Sequence, residues 1–345
     1  MNKISTLLAA SALSSAPLTT QAAELAQPNP QMQAVLDKLA TLGGKPIVSL
    51  SPEEARKQPS PTDAVMVILK ERNMAAPEKV GKVEDVTIKL DGRDLTGRVY
   101  QPEGEGPFPM ILYIHGGGWV IADLDTYDSS PRALVNGTGA IVVSVHYRQA
   151  PEHKFPAAHE DAYGAYQWLL ENGQRWGGDT RNVAVVGESA GGNLAAAVCI
   201  MAQSGGIQPP VHQVLVYPIA DTKTDTASYT ENADAKPLNA AMMKWFLGHT
   251  LANKEDTHDP KVALLQAETL KGLPSATIIT AQIDPLRSEG EALAEKLKAD
   301  GVEVAYRNYD GVTHEFFGMG AVVDQAKAAN AFVSADLKAA FAKLK

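Results

Sequence analysis

Ser189 lies in Gly187-Glu188-Ser189-Ala190-Gly191, between the apolar run "VAVV" and the helix-like "GGNLAAAVCIMAQ". A tight strand-to-helix turn needs small residues on both sides of the serine and thrusts its hydroxyl outward. A serine hydroxyl is a poor nucleophile unless a base takes its proton and an acid orients that base. Beyond residue 258 the chain has a single histidine, His314, in "DGVTHEFFGM". It follows the strand-like "VEVAYRNY", so it is expected on the loop leaving a sheet strand. "HEFFG" lacks the second histidine of a zinc-binding HExxH motif. Asp284, in "TAQIDPLRSEG" just past "SATIIT", is the preferred acid, because the members of such a triad come from different strand ends. Asp310 is the alternative, four residues before His314 on the same strand.

A second group of residues suits the charge that such an attack creates. "YIHGGGW" puts Gly116, Gly117 and Gly118 directly after an apolar run and His115. Consecutive glycines suggest unusual dihedrals or a ligand close to the backbone. A phosphate loop would continue into Gly-Lys-Ser/Thr and a dinucleotide fingerprint would space its glycines as GxGxxG; neither follows. An oxyanion hole fits, with amides from an HGGG-type loop joined by the amide after the nucleophile, Ala190. His115 is read as a structural histidine that holds this loop.

These residues sit within an alternation of strands and helices. "PMILYIH" and "AIVVSVHY" are continuous apolar runs, as for strands buried on both faces. "AAHEDAYGAYQWLLEN" reads as a helix, "NVAVVGE" as a strand, "HQVLVYPIA" as a strand. "SATIITAQ", "SEGEALAEKLKADG" and "VEVAYRNY" give strand, helix and strand, and "DQAKAANAFVSADLKAAFAKLK" a closing helix. The rhythm predicts an α/β fold with a mostly parallel sheet and helices on both faces. Before it, residues 23–80 read as a polar helical arm, with Ser51, Pro52 and Glu54 forming a helix start and capping box. "KVEDVTIKLDGRDLTGRVYQP" reads as a hairpin about Asp91-Gly92. Residues 221–270 break the alternation by more than an ordinary loop. They contain the helix-like "NAAMMKWFLGHTL" and are expected to form a lid.

The stretches "HGGGWVIADLDTYD", "YRQAPEHKFPAAHEDA", "GESAGGNLAAA", "DPLRSEGEALAEKL" and "GVTHEFFGM" together resemble the hormone-sensitive-lipase-like (family IV) bacterial carboxylesterases of the α/β-hydrolase superfamily. The resemblance runs from about residue 108 to the C-terminus. It implies Ser189, Asp284 and His314 as triad, the amides of Gly117, Gly118 and Ala190 as oxyanion hole, and no cofactor. It implies a catalytic domain over 81–345, capped by the N-terminal arm and the 221–270 insertion. The implied reaction is hydrolysis of short-to-medium acyl esters through an acyl-enzyme, with a lactone, amide or peptide substrate, or a silent binding module, as alternatives. The sequence departs from the family at Glu188, Ala122 and Ser288, and at Thr313 and Glu315 beside the histidine. None of these removes a catalytic group. Tyr147, Arg148, Glu152 and Asp161 are expected to brace the core as a polar network. Asp123, Asp125 and Asp128 lack the glycine and terminal glutamate of an EF-hand and are read as loop residues, so no metal is expected.

Composition sets the outer limits. The chain has 345 residues, 45% hydrophobic and 21% charged, with a formal net charge of −9. That charge disfavours nucleic acid as a partner and leaves a small-molecule ester as the expected one. Met1-Asn2-Lys3, the apolar "ISTLLAASALSSA" and the small residues near Ala22 read as a signal peptide over 1–22. The segment is shorter than the roughly 20 apolar residues of a membrane span. A periplasmic or secreted protein is therefore expected. The lone Cys199 can form no internal disulfide and is read as packed rather than reactive. An edge strand of such a sheet offers a place for a homodimer.

Overall fold

The computed structural model describes residues 25–75 and 78–343. The expected signal peptide lies outside them. An eight-stranded sheet carries the fold, with strands β1 (Lys82–Leu90), β2 (Arg93–Gln101), β3 (Phe108–Ile114), β4 (Ile141–His146), β5 (Gly178–Glu188), β6 (Gln213–Val216), β7 (Ala276–Ile283) and β8 (Val304–Thr313). Their spatial order is β1-β2-β4-β3-β5-β6-β7-β8. β1 and β2 form the expected hairpin, Leu90 facing Arg93, and β2 runs antiparallel to β4; the pairings from β4 through β8 are parallel. This is the α/β-hydrolase fold.

The apolar runs become strands because both sheet faces are covered. Met110, Leu112 and Ile114 of β3 point into one apolar cluster, and Ile111 and Tyr113 into the other; all five are fully buried. Helices α5 (Ala157–Asn172), α6 (Ala190–Gly205), α8 (Ala240–Thr250) and α9 (Arg287–Ala299) cover the first face. The second is covered by α1 (Pro30–Thr41), α3 (Pro61–Glu71), α4 (Ser129–Thr138) and α10 (Asp324–Ala342). Two short helices, α2 (Pro52–Ala55) and α7 (Ala227–Glu231), complete the set. Cys199 is buried in α6. No described helix is long and apolar enough to cross a membrane.

Three expectations need correction. The arm is not merely polar: Met32, Val35, Val65, Ile68 and Leu69 are buried, because α1 and α3 turn their apolar stripes onto the sheet cluster. Its capping box at Ser51 and Glu54 is present but starts only a single turn, α2. The strand read over "HQVLVYPIA" ends at Val216. There Tyr217 takes a φ of +35° and Pro218 has no N–H, so the ladder cannot continue. The 221–270 insertion is not one lid either. Its α8 overlies the triple-glycine loop, but Val262, Ala263 and Leu264 are fully buried in the main core.

Asn193 ties this second half of the insertion to the sheet. Fully buried on α6, it donates to the carbonyls of Ile219 (3.0 Å) and Val262 (2.8 Å) and accepts from His159 Nε2 (3.0 Å). Burial holds the His159 pKa down at about 4, so its ring is neutral. Asn193→Ala would strand three buried groups, at about 1–3 kcal/mol each. The expected result is a loss on the order of 3 kcal/mol or more in urea unfolding; a change below about 1 kcal/mol would show that the junction holds without this side chain.

Candidate active site

β5 passes into α6 through one residue. Ser189 takes φ +57° and ψ −119°, a conformation that L-residues rarely adopt, with Glu188 ending the strand and Ala190 starting the helix. The flanking glycines are dictated by approach: a Cβ on Gly187 would lie 2.0 Å from the Gly191 carbonyl oxygen, and one on Gly191 2.0 Å from that of Ile114. Ser189 N–H donates to the Val216 carbonyl (2.9 Å), which fixes the turn to the neighbouring strand.

The structure brings Ser189, His314 and Asp284 together. His314 follows the end of β8 and Asp284 the end of β7. His314 Nε2 lies 2.9 Å from Ser189 Oγ, and Nδ1 2.6 Å from Asp284 Oδ2. A carboxylate can only accept, so Nδ1 carries the proton and Nε2 is left to accept from the serine hydroxyl. Leu286 N–H donates to the other Asp284 oxygen at 2.9 Å. Asp310, the alternative acid, lies within β8 and accepts from Asn308 instead. Burial by itself would lower the His314 pKa, but the Asp284 carboxylate, helped by Glu315 and Glu188, holds it above the ordinary 6.5.

The glycine loop lies against this turn. Gly117 has φ +93° and Gly118 φ +58°. A Cβ on Gly117 would sit 2.2 Å from the Ile121 carbonyl oxygen, and on Gly118 2.3 Å from the Phe246 ring of α8. Neither N–H donates to a protein acceptor among the described residues. Ala190 N–H stands at the first position of α6, where the helix supplies no acceptor. These three amides are free to receive a negative oxygen. His115 holds the loop from behind: Nδ1–H donates to the Gly116 carbonyl (2.9 Å), leaving Nε2 to accept from His146 Nδ1–H (3.2 Å). Burial drops its pKa to about 3 and keeps it neutral.

The expected bracing network is present but divided. Tyr147 donates to the carbonyls of His115 and Gly116, and Arg148 pairs with the fully buried Asp161. Glu152 pairs with Arg56 of the arm. Asp123 caps its own loop, accepting from Asp125 N–H, Thr126 N–H and the Thr126 hydroxyl, while Asp125 and Asp128 serve Arg98 and Arg132. No group of three or more potential metal ligands occurs among the described residues.

The sequence marked Glu188 and Glu315 only as departures from a family pattern, without their pairing. Glu188 and Glu315, each next in sequence to Ser189 or His314, turn to the other side of the turn. Tyr113 and Tyr217 both donate to Glu188, and Tyr127 donates to both oxygens of Glu315. Glu315 Oε1 is also 3.9 Å from His314 Nε2. A cavity of about 860 Å3 opens beside Glu188 and Glu315, walled by Met66 and Leu69 of α3, Tyr127 and Met319; neither Ser189 nor His314 lines it. Burial, with Glu315 nearby, pushes the Glu188 pKa up to about 7. The available signal was that acidic residues directly flank both the nucleophile and the base.

The chain is similar in sequence and structure to several known proteins. A family profile described as "alpha/beta hydrolase fold" matches residues 111–318. The chain is 39% identical to carboxylesterase NlhH of Mycobacterium tuberculosis over 264 residues, 75% of this chain and 83% of the relative. It is 31% identical to an ethyl acetate hydrolase of Pseudomonas putida, over 86% of this chain and 94% of that one. The solved hyperthermophilic esterase of the archaeon Pyrobaculum calidifontis superposes with a TM-score of 0.82 at 36% identity, covering 91% of this chain and 98% of that one.

Glu188 predicts a pH signature in stability. A carboxyl whose pKa is raised on folding, here from 4.5 to about 7, stabilises the fold fully below the lower value. That contribution is lost as pH rises through the upper one. At about 1.4 kcal/mol per unit the loss is on the order of 3 kcal/mol. Thermal unfolding from pH 4.5 to 8 should therefore show a shallower decline for Glu188→Gln than for wild type. Parallel curves would mean that Glu188 does not titrate in this window.

Proposed function

The chain belongs to the α/β-hydrolase family and is a serine carboxylic-ester hydrolase, and we propose that it cleaves short-to-medium acyl esters through an acyl-enzyme on Ser189. The observation that carries this mechanism is the continuous chain from Ser189 Oγ to His314 to Asp284, at 2.9 and 2.6 Å. Ser189 Oγ bonds to the ester carbonyl carbon while its proton passes to His314 Nε2. The negative carbonyl oxygen is received by the N–H groups of Gly117, Gly118 and Ala190. The bond to the alcohol oxygen then breaks, and the imidazolium returns its proton to that oxygen. Water adds to the acyl-enzyme with the same histidine as base, releasing the acid and restoring Ser189. Asp284 keeps the ring in the needed tautomer and stabilises the imidazolium.

Support for a short acyl group comes from the relative named an ethyl acetate hydrolase. The cavity beside Glu315 is bounded by α3 of the arm, and Phe246 of α8 closes against Gly118, so both segments act as a cap. Export is inferred from the basic start, apolar stretch and small-residue exit of residues 1–22. It is tested by the N-terminus of protein recovered from the native host: an N-terminus near Ala23 supports export, an intact Met1-Asn2-Lys3 opposes it.

Hydrolysis of p-nitrophenyl acetate, butyrate, octanoate and palmitate tests the substrate reading. Activity should be highest at the shorter members and fall sharply by palmitate; a maximum at palmitate would refute the short-to-medium range. Ser189→Ala should lose on the order of 10⁶ in kcat and Asp284→Asn about 10⁴. Ser189→Ala at wild-type rate would refute the mechanism. Because His314 acts unprotonated and its pKa is raised, kcat/KM should climb with pH along a limb centred above 6.5. A limb centred below 6.5 would contradict the charge arrangement around the ring.

A further inference from the structure

Each backbone carbonyl from His115 to Ala122 is held by a donor. Tyr147 holds those of His115 and Gly116. The N–H groups of Val120 (3.0 Å) and Ile121 (2.9 Å) hold that of Gly117. The Thr250 hydroxyl holds Gly118 at 3.3 Å, and Ala150 N–H holds Trp119 at 2.9 Å. Gln149 Nε2 holds both Ile121 (2.7 Å) and Ala122 (2.8 Å). The remaining carbonyl, Val120, accepts from Arg56 Nε at 2.8 Å. Arg56 is the only one of these donors that comes from the N-terminal arm.

A trans peptide is planar, with C=O and the following N–H pointing in opposite directions, so fixing one end aims the other. Arg56 Nε fixes the Val120 carbonyl, whose peptide partner is Ile121 N–H. Ile121 N–H in turn fixes the Gly117 carbonyl, whose peptide partner is Gly118 N–H. The Arg56 Nη2 donor also holds the Ala150 carbonyl at 2.9 Å, so the guanidinium anchors the residue whose N–H binds the Trp119 carbonyl, although the Ala150 carbonyl shares its own peptide with Pro151, which has no N–H to aim. One path of planar peptides thus runs from the guanidinium to Gly118 N–H, with a second contact of the same guanidinium beside it. Glu152 holds that guanidinium through both its oxygens, at 2.9 and 2.6 Å. A charged donor polarises the amide it binds and strengthens the hydrogen bonds further along the chain.

We propose that Arg56 is a positioning residue for ester hydrolysis: through two successive peptides it aims the Gly118 N–H at the oxyanion, making a complete oxyanion hole depend on docking of the N-terminal arm. The proposal rests on the reading of Ser189 and the glycine loop given above. Arg56 acts on the loop that receives the charge and touches neither Ser189 nor His314. Its loss therefore weakens binding of the tetrahedral state and leaves binding of the ground-state ester nearly unchanged.

The test compares Arg56→Ala, Arg56→Lys and Lys38→Met with wild type, using p-nitrophenyl butyrate and an alkyl trifluoromethyl ketone. Ser189 adds to that ketone carbonyl, and its proton moves to His314, giving a bound hemiketal with an oxyanion. Rates are normalised to sites titrated with a fluorophosphonate, and Tm is recorded for each protein. Arg56→Ala should lower kcat about tenfold and raise the ketone Ki by a similar factor, with KM within about twofold. Arg56→Lys keeps a charge opposite Glu152 but loses the guanidinium fork, and should fall between, about threefold down. Lys38→Met breaks the Lys38–Glu71 pair inside the arm, far from the loop, and should match wild type. Unchanged kcat and Ki in both Arg56 variants would overturn the proposal, as would a loss carried by KM with Ki unmoved. If Arg56→Ala does not fold, Arg56→Lys decides by the same comparison. A wild type without Ser189-dependent esterase activity would overturn the site reading itself.

Discussion

The site hangs on a chain that turns from strand to helix within a single residue. With Glu188 in β5 and Ala190 in α6, Ser189 must hold a φ of +57°, and its neighbours must let backbones meet at contact distance. That strain is sustained because both elements are buried on either side of the turn, Asn182–Glu188 and Ala190–Cys199, and Ser189 N–H is anchored to β6. Once the turn is fixed, three features follow from it. The hydroxyl projects from the sheet edge, the first amide of α6 is left without an intrahelical acceptor, and the side chain before the serine is driven to the opposite face. The ends of β7 and β8 lie next along the same edge, which is why Asp284 and His314 can reach each other and the serine.

The parts of this arrangement governed by local rules were legible in the sequence. The apolar runs of β3 and β4 declare strands buried on both sides, and glycines flanking a serine declare a turn with no room for side chains. The order of serine, acid and histidine along the chain selects the strand ends. Between the two candidate acids, spacing gave only a preference for Asp284 over Asp310; in three dimensions it is Asp284 that lies 2.6 Å from His314 Nδ1, while Asp310 accepts from Asn308. Distant partners were the blind spot. Nothing near Arg56 in sequence announces that it donates to Val120 and Ala150, and nothing near Thr250 that it reaches Gly118. Glu188 and Glu315 were visible as departures from a family pattern. Their tyrosine partners come from β3, the loop before α4 and the end of β6, so their burial and pairing could not be read locally.

The two segments on either side of the loop differ in how they attach. The insertion is fastened deeply: Val262 to Leu264 belong to the main core, and Asn193 binds the Val262 carbonyl, so only its first half lies over the glycine loop. The arm lies on the other sheet cluster through α1 and α3, and it meets the loop region through polar contacts, Arg56 to Val120 and Thr62 to the Thr126 carbonyl. Apolar burial resists separation over a broad area, whereas a few polar contacts set direction. The insertion is therefore suited to shape the wall of the site and the arm to set its alignment.

Charge placement around His314 completes this division of labour. Asp284 holds one ring nitrogen, while Glu315 lies 3.9 Å from the other and Glu188 stands behind it. Three carboxyl groups favour the imidazolium, the form that arises as the serine proton transfers, so they lower the energy of the tetrahedral state. The same field raises the His314 pKa in the resting enzyme and reduces the share of ready base in mildly acidic solution. The raised pKa of Glu188, about 7, moderates the conflict. While it is protonated its charge is absent and it does not add to the field that holds the histidine pKa up. The buried tyrosine hydroxyls make this tolerable by donating to the carboxylates, so that a cluster of acidic groups beneath the nucleophile stays hydrogen-bonded in either state.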